Sequence, residues 1–247
     1  MSSGCAPQRP PGPGQLVVPV AKLPGSGYPV SMSLRAVIFD YGEVLCIRDR
    51  AAHQRLLSLT GLDCDTFERL YWRDRHGYDL GRVDGRGYWA NFARDAGLTW
   101  TAQKIDALIE TDVVMWTSIN EPMLAWAQSL QESGLLTAIL SNMGPEVLGT
   151  MRREFAWLAG FNQLTWSCEL GIAKPDPAIY NLTCDKLGVR PGEALFLDDK
   201  RENVQAAQQL GLEALQFSSI DQLQRDLASS ASFRDLPAPL PGQGIHA

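Results

Sequence analysis

The chain has 247 residues, 45% hydrophobic and 20% charged, with a formal net charge of −6. That is globular composition, with apolar material for one large domain or one domain carrying an insertion. The acidic balance argues against a general nucleic-acid binder, and no run of about 18 apolar residues marks a membrane span. The five cysteines (Cys5, Cys46, Cys64, Cys168 and Cys184) are scattered without metal-binding spacing, so they read as free thiols of a reducing cytoplasm.

Residues 1–33 are rich in Pro and Gly and have no helical or strand period, the mark of a disordered extension. Their one apolar run, "LVVPVA", is broken by Pro19 and makes a poor signal peptide. Met32 opens "MSLRAVIFD" in the manner of a natural start, so the extension is expected to have no catalytic part.

Residues 34–40, "LRAVIFD", form a short apolar run rich in β-formers, the pattern of a fully buried parallel strand. The next 75 or so residues are mostly helical in pattern. Asp65 with Glu68 resembles a capping box, and Ile105, Leu108, Ile109, Val113 and Trp116 fall at helical spacing. Pro122 and Gly134 bracket a helix, and "LLTAILS" (135–141) reads as the second strand. A helix is predicted from Pro145 through "EVLGTMRREFAWL", and "NQLTWS" (162–167) is a further strand candidate. Helical patterns ending at Gly188 and Gly211 alternate with strands at 193–199 and 212–217. The rhythm predicts an α/β fold, a Rossmann-like doubly wound parallel sheet. The segment 48–120 is too long for a crossover and reads as a helical cap inserted after the first strand. The core then comprises 34–47 and 121–230, and 231–247 is a loose tail.

Polar groups with chemical potential fall at the C-terminal ends of these strands or on the loops beyond, where open α/β sheets bind ligands. They are Asp40, Ser141 with Asn142, Lys174 in "GIAKPDP", and Asp198 with Asp199. Each alone has a plain structural reading as a cap, a turn or a solvated charge. Together they suit phosphoryl transfer. Asp40 is placed to attack phosphorus. Asp40, Asp198 and Asp199 offer hard oxygen ligands for Mg²⁺. Ser141, before a helix N-terminus, is placed to hold phosphate oxygens, and Lys174 to neutralise charge.

These segments resemble the haloacid dehalogenase (HAD) superfamily, mostly phosphatases, over most of residues 34–217. "VIFDYGEVL", "AILSNMG", "GIAKPDPAIY" and "LFLDDKRENVQAAQQLG" are similar to its four motifs. The last two point to the branch with sugar-phosphate phosphatases and the phosphatase domain of soluble epoxide hydrolases. The resemblance implies an enzyme with Asp40 as nucleophile and the Gly42 carbonyl as a magnesium ligand. It implies Asp199, with Asp198 beside it, as acidic ligand, Ser141 and Asn142 on phosphate, and Lys174 between phosphate and Asp40.

Most such phosphatases carry a second Asp two residues after the nucleophile, to protonate the leaving oxygen and activate water; this chain has Gly42. General acid–base help is worth roughly 10²–10⁴ in rate. Glu43, Asp198 or Asp79 is a possible substitute; a good leaving group needs little help; or catalysis has been lost, leaving a phosphate-ligand- or partner-binding protein. A 2-haloacid dehalogenase also lacks the second Asp, but needs no metal and lacks the acidic pair. The cap segment 69–89 alternates arginines with aromatics and acids, and Arg73, Arg75 and Tyr78 are its candidates for contact with the substrate body. Its acids cancel much of the positive charge, against a nucleic-acid groove. The expected partner is a small phosphorylated metabolite, bound by a cytoplasmic monomer or homodimer with no membrane or nucleic-acid contact.

Overall fold

The computed structural model describes residues 33–240, all within one compact unit, Met32–Ala247. Residues 1–32 of the expected disordered extension (1–33) and the end of the tail (241–247) lie outside the described residues. In chain order the elements are β1 (Ala36–Phe39), then α1 (Arg50–Thr60), α2 (Cys64–Arg73), α3 (Arg75–Asp79), α4 (Gly85–Asp95) and α5 (Ala102–Met115). There follow α6 (Glu121–Glu132), β2 (Leu136–Ser141), α7 (Pro145–Glu154), β3 (Gln163–Trp166), α8 (Ser167–Leu170) and α9 (Pro177–Leu187). The chain closes with β4 (Ala194–Asp198), α10 (Arg201–Gln209), β5 (Glu213–Gln216) and α11 (Ile220–Ser229). No helix among the described residues is long and apolar enough to cross a membrane. The four described cysteines form no disulfide.

The five strands form one parallel sheet in the order β3-β2-β1-β4-β5. β1 is central, and all four of its residues are fully buried. Successive side chains of a strand point to opposite faces. Val37 and Phe39 accordingly join a core with Met123, Trp126 and Leu130 of α6 and Leu223 of α11. Ala36 and Ile38 join the opposite core, with Ile179 and Tyr180 of α9 and Val204 of α10. Burial on both faces is why these strands are unbroken apolar runs.

Between β1 and α6 the five helices α1–α5 build a third core around Leu56, Phe67, Tyr71, Trp89 and Leu108. Asp63, and not Asp65, caps α2: its carboxylate accepts from the Thr66 amide at 2.9 Å. Glu68 turns instead to Arg48 (2.6 Å) and His53 (2.8 Å). The helix expected to run on from Pro145 stops at Glu154, and Ala156–Gly160 continues as a 3₁₀ turn.

The tail is not loose as far as residue 240. Phe233 is buried in the core beside α11, the Pro237 carbonyl accepts from the Trp126 indole at 2.7 Å, and that of Pro239 from Gln224 at 2.6 Å. Phe233→Ala is therefore expected to cost about 3 kcal/mol in urea unfolding, the usual price of removing a buried phenyl ring; a change below about 0.5 kcal/mol, the surface norm, would show the segment to be idle.

Candidate active site

The chain leaves β1 through Asp40, whose amide still donates to the Leu197 carbonyl at 2.8 Å. The register that pairs Phe39 with Leu197 sets Asp40 beside Asp198, one position further on. The same sheet edge receives Ser141 at the end of β2. A tight turn follows Asp40. The Tyr41 carbonyl accepts the amides of Leu45 (2.9 Å) and Cys46 (2.8 Å). Glu43 takes φ 57°, in the left-handed region that costs a residue with a Cβ.

A cavity of about 260 Å³ opens on this edge. The core supplies Asp40, Ser141, Asn142, Lys174 and Asp199 to its wall; Gly42, Glu43 and Arg48 come from the loop after β1, and Trp72, Arg75, Asp79 and Trp116 from the helical insertion. Lys174 is at the base, almost fully buried. Its ammonium donates to Asp198 Oδ2 at 2.6 Å and pairs with Asp40 Oδ1 at 2.8 Å. The Tyr41 amide also donates to Asp40 Oδ1, at 2.6 Å. Asp40 Oδ2 has no hydrogen-bond donor among the described residues, so one oxygen is held and the other is free to react.

Asp40, Asp198 and Asp199 each place a carboxylate oxygen within 4.8 Å of the others. Two of the three, Asp40 and Asp198, share the one ammonium of Lys174. Burial pushes the Asp40 carboxyl up to about 7, and the charges of Asp198 and Asp199 add to the rise against the pull of Lys174. Asp199 is raised by burial and by Asp198. Lys174 is lowered by burial, but Asp198 and Asp40 outweigh that and hold it above its ordinary value. Excess negative charge on hard oxygen donors around one point fits a divalent cation such as magnesium.

Asp198 is fully buried and lies outside the cavity wall. Oδ1 accepts from the Lys200 amide (2.8 Å) and Asn203 Nδ2 (2.9 Å), while Oδ2 accepts from Lys174. It braces Lys174. Asn142 lines the cavity, but its side chain is committed: Oδ1 accepts from the Lys174 amide (2.9 Å) and Nδ2 donates to the Lys174 carbonyl (2.8 Å). The expected phosphate contact of that side chain is thus replaced by a clamp on the lysine. The Ser141 hydroxyl has no partner among the described residues and stays available to the cavity.

Of the residues expected to reach the substrate from the insertion, only Arg75 lines the cavity. Arg73 is exposed and pairs with Asp74 and Asp95. Tyr78 is buried, stacked on Tyr88 with centroids 4.9 Å apart. A Cβ at Gly144, just before α7, would overlap the Tyr78 ring. Here α3 grips the sheet edge, and Ser167 holds it as well: its hydroxyl donates to the Asp79 carbonyl and accepts from the Met143 amide (3.0 Å). Gly144→Ala is expected to lower stability by about 1–3 kcal/mol through overpacking; thermal unfolding at the parent temperature would show that the ring yields freely.

Position 42 borders the insertion. A Cβ on Gly42 would sit 3.5 Å from Cζ3 of Trp116, an ordinary van der Waals contact, so the indole adjoins the position without excluding a side chain there. Two other cavity carboxyls are raised: Asp79 by burial, against its pairing with Arg75 at 3.1 Å, and Glu43 by burial and by Asp199. Trp72, Arg48 and Lys200, also in the wall, were not singled out by sequence reasoning.

A sequence model of the haloacid dehalogenase-like hydrolases matches residues 34–211. Bifunctional epoxide hydrolase 2 of Mus musculus is 33% identical over 131 residues, half of this chain but about a quarter (24%) of that protein. A phosphatase of Mycobacterium tuberculosis is 26% identical over 219 residues, 84% of this chain and 100% of its own length. Among solved structures, a HAD family enzyme of Bacteroides thetaiotaomicron, in complex with magnesium and inorganic phosphate, superposes with a TM-score of 0.62 at 20% identity, covering 75% of this chain and 95% of that one. The last likeness is one of fold. With most of the sequence matched and the same parallel sheet beneath it, the chain belongs to the haloacid dehalogenase-like hydrolase family.

Proposed function

We propose that the protein is a Mg²⁺-dependent phosphatase of a small organic phosphomonoester. The observation that carries this is the meeting of Asp40, Asp198, Asp199 and Lys174 at one edge of the sheet, from segments up to 159 positions apart in the chain. The phosphatase of M. tuberculosis and the magnesium- and phosphate-bound relative support the same reading.

Asp40, Asp199 and the Gly42 carbonyl would hold the ion. When bound, magnesium screens the carboxylates from the phosphoryl oxygens and draws charge from those oxygens. Asp40 Oδ2 attacks phosphorus, forming an O–P bond as the bond to the leaving oxygen breaks. Lys174, braced by Asp198 and clamped by Asn142, keeps Asp40 Oδ1 turned away and its charge balanced. The Ser141 hydroxyl donates to a phosphoryl oxygen. Glu43 and Asp79 take over the proton duties for which Gly42 has no group. Water then attacks the aspartyl phosphate, releases phosphate and restores Asp40.

The experiment is phosphate release from p-nitrophenyl phosphate, followed with Mg²⁺ and after chelation, beside halide release from 2-chloropropionate. Phosphate release that vanishes on chelation is expected. Metal-independent halide release would instead make the protein a dehalogenase, although four cavity-wall carboxylates (Asp40, Glu43, Asp79 and Asp199) repel an anionic chloro-acid.

A further inference from the structure

We infer that the substrate's organic part carries no charge of its own and lies with an apolar or aromatic face against Trp72 and Trp116. This rests on the phosphatase reading and narrows it to a substrate class.

The first argument is the state of the cavity's cations. Arg48 gives both terminal nitrogens to Glu68, at 3.3 and 2.6 Å. Arg75 gives Nε to Asp79 at 3.1 Å and Nη1 to Asp112 at 3.0 Å, and Asp112 is 1% exposed. Lys174 is taken by Asp40 and Asp198. A second anionic group on the substrate would have to draw a guanidinium from its carboxylate and leave that carboxylate uncompensated, a strongly unfavourable exchange where the pair is buried. Lys200 has no carboxylate partner among the described residues, but it is exposed, and its ammonium lies over the Trp72 ring, 5.1 Å from the centroid.

The second argument is the indoles. Trp72 is 40% exposed, one of few large apolar side chains left so open, and it borders the cavity. Trp116 meets it edge-on at 6.1 Å. Both indole N–H groups are already used, Trp72 on Glu68 at 3.0 Å and Trp116 on the Tyr71 hydroxyl at 2.8 Å. Apart from the Trp72 face that the Lys200 ammonium covers, the rings therefore offer no further donor, only carbon surface, and those hydrogen bonds fix their orientation before a ligand arrives. Pre-set aromatic surface gains affinity because little ordering remains to be done on binding. The volume of about 260 Å³ limits the ligand to a phosphoryl group and a small body.

Three primary alkyl phosphates of similar leaving-group basicity test this: 2-phenylethyl, propyl and 2-carboxyethyl phosphate, with p-nitrophenyl phosphate as a general probe. The phenylethyl ester is expected to exceed propyl phosphate by about 10-fold in kcat/KM, as one good aromatic contact allows, and the carboxyethyl ester to fall below both. Trp72→Ala should bring the phenylethyl-to-propyl ratio close to one. Glu68→Gln, which frees the Arg48 guanidinium, should raise kcat/KM for the carboxyethyl ester. A parent enzyme that releases phosphate from p-nitrophenyl phosphate and prefers the carboxyethyl ester overturns the inference alone. No phosphate from any of the four esters overturns the phosphatase reading, and the inference with it.

Discussion

Asp40→Asn should reduce phosphate release from p-nitrophenyl phosphate by at least about 10⁴-fold, the scale seen when a nucleophile is removed from a site that acts as a unit. The amide keeps the shape of the carboxylate and can still accept from the Tyr41 amide and Lys174 at Oδ1. It lacks the charge that attacks phosphorus. The variant should fold, and its stability should show why. In the parent without metal, burial pushes Asp40 up to about 7 from the ordinary 3.8. A carboxyl whose folded pKa is raised contributes stability that is fully present below the unfolded pKa and is lost as pH rises through the folded one. Metal-free parent protein should thus lose stability between about pH 4 and pH 7, and Asp40→Asn should lose less, ending above the parent at about pH 8. Urea unfolding at several pH values with an assay at each separates lost chemistry from lost fold. Appreciable turnover by Asp40→Asn would remove Asp40 from the nucleophile's role.

Lys174→Met should abolish activity and destabilise the fold by about 3–5 kcal/mol, the cost of breaking a buried ion pair by removing one partner. The ammonium is nearly inaccessible and stands between two carboxylates. Without it, Asp40 and Asp198 face each other as like charges in a site largely closed to water. The loss should therefore be greatest at high pH and shrink as acid protonates Asp40. Lys174→Met with Asp198→Asn removes one of the opposed charges and should restore part of the stability without restoring turnover. Equal stability of the single and double variants in metal-free buffer would show that the two carboxylates do not oppose each other.

The sheet was legible because a strand buried on both faces must be apolar along its length, as "AVIF" and the "ALFL" of β4 are. The rim could be read for the same reason: a polar residue ending such a run stands out, as Asp40, Ser141 and Asp198 do. The insertion was harder. Arg73 and Arg75 look alike in sequence, but α2 ends at the first and α3 starts at the second, and this break resets the helical phase. Trp72 and Arg75 therefore reach the cavity, while Arg73 turns to solvent and Tyr78 to Gly144. The clamp of Asn142 on Lys174 joins positions 32 apart, and no spacing rule announces such a pair. Asp63 and Asp65 offer the same side chain two positions apart; backbone angles choose between them, and Asp63 has the extended ψ of 159° that a cap needs.

The contact between position 42 and the indole of residue 116 ties the nucleophile's turn to the inserted helices. A Cβ at 42 would rest on that ring at 3.5 Å, so the space there admits a methyl group, whereas a smaller residue at 116 would leave a void beside the turn. Truncation of the indole should therefore loosen the loop that carries the reacting carboxylate.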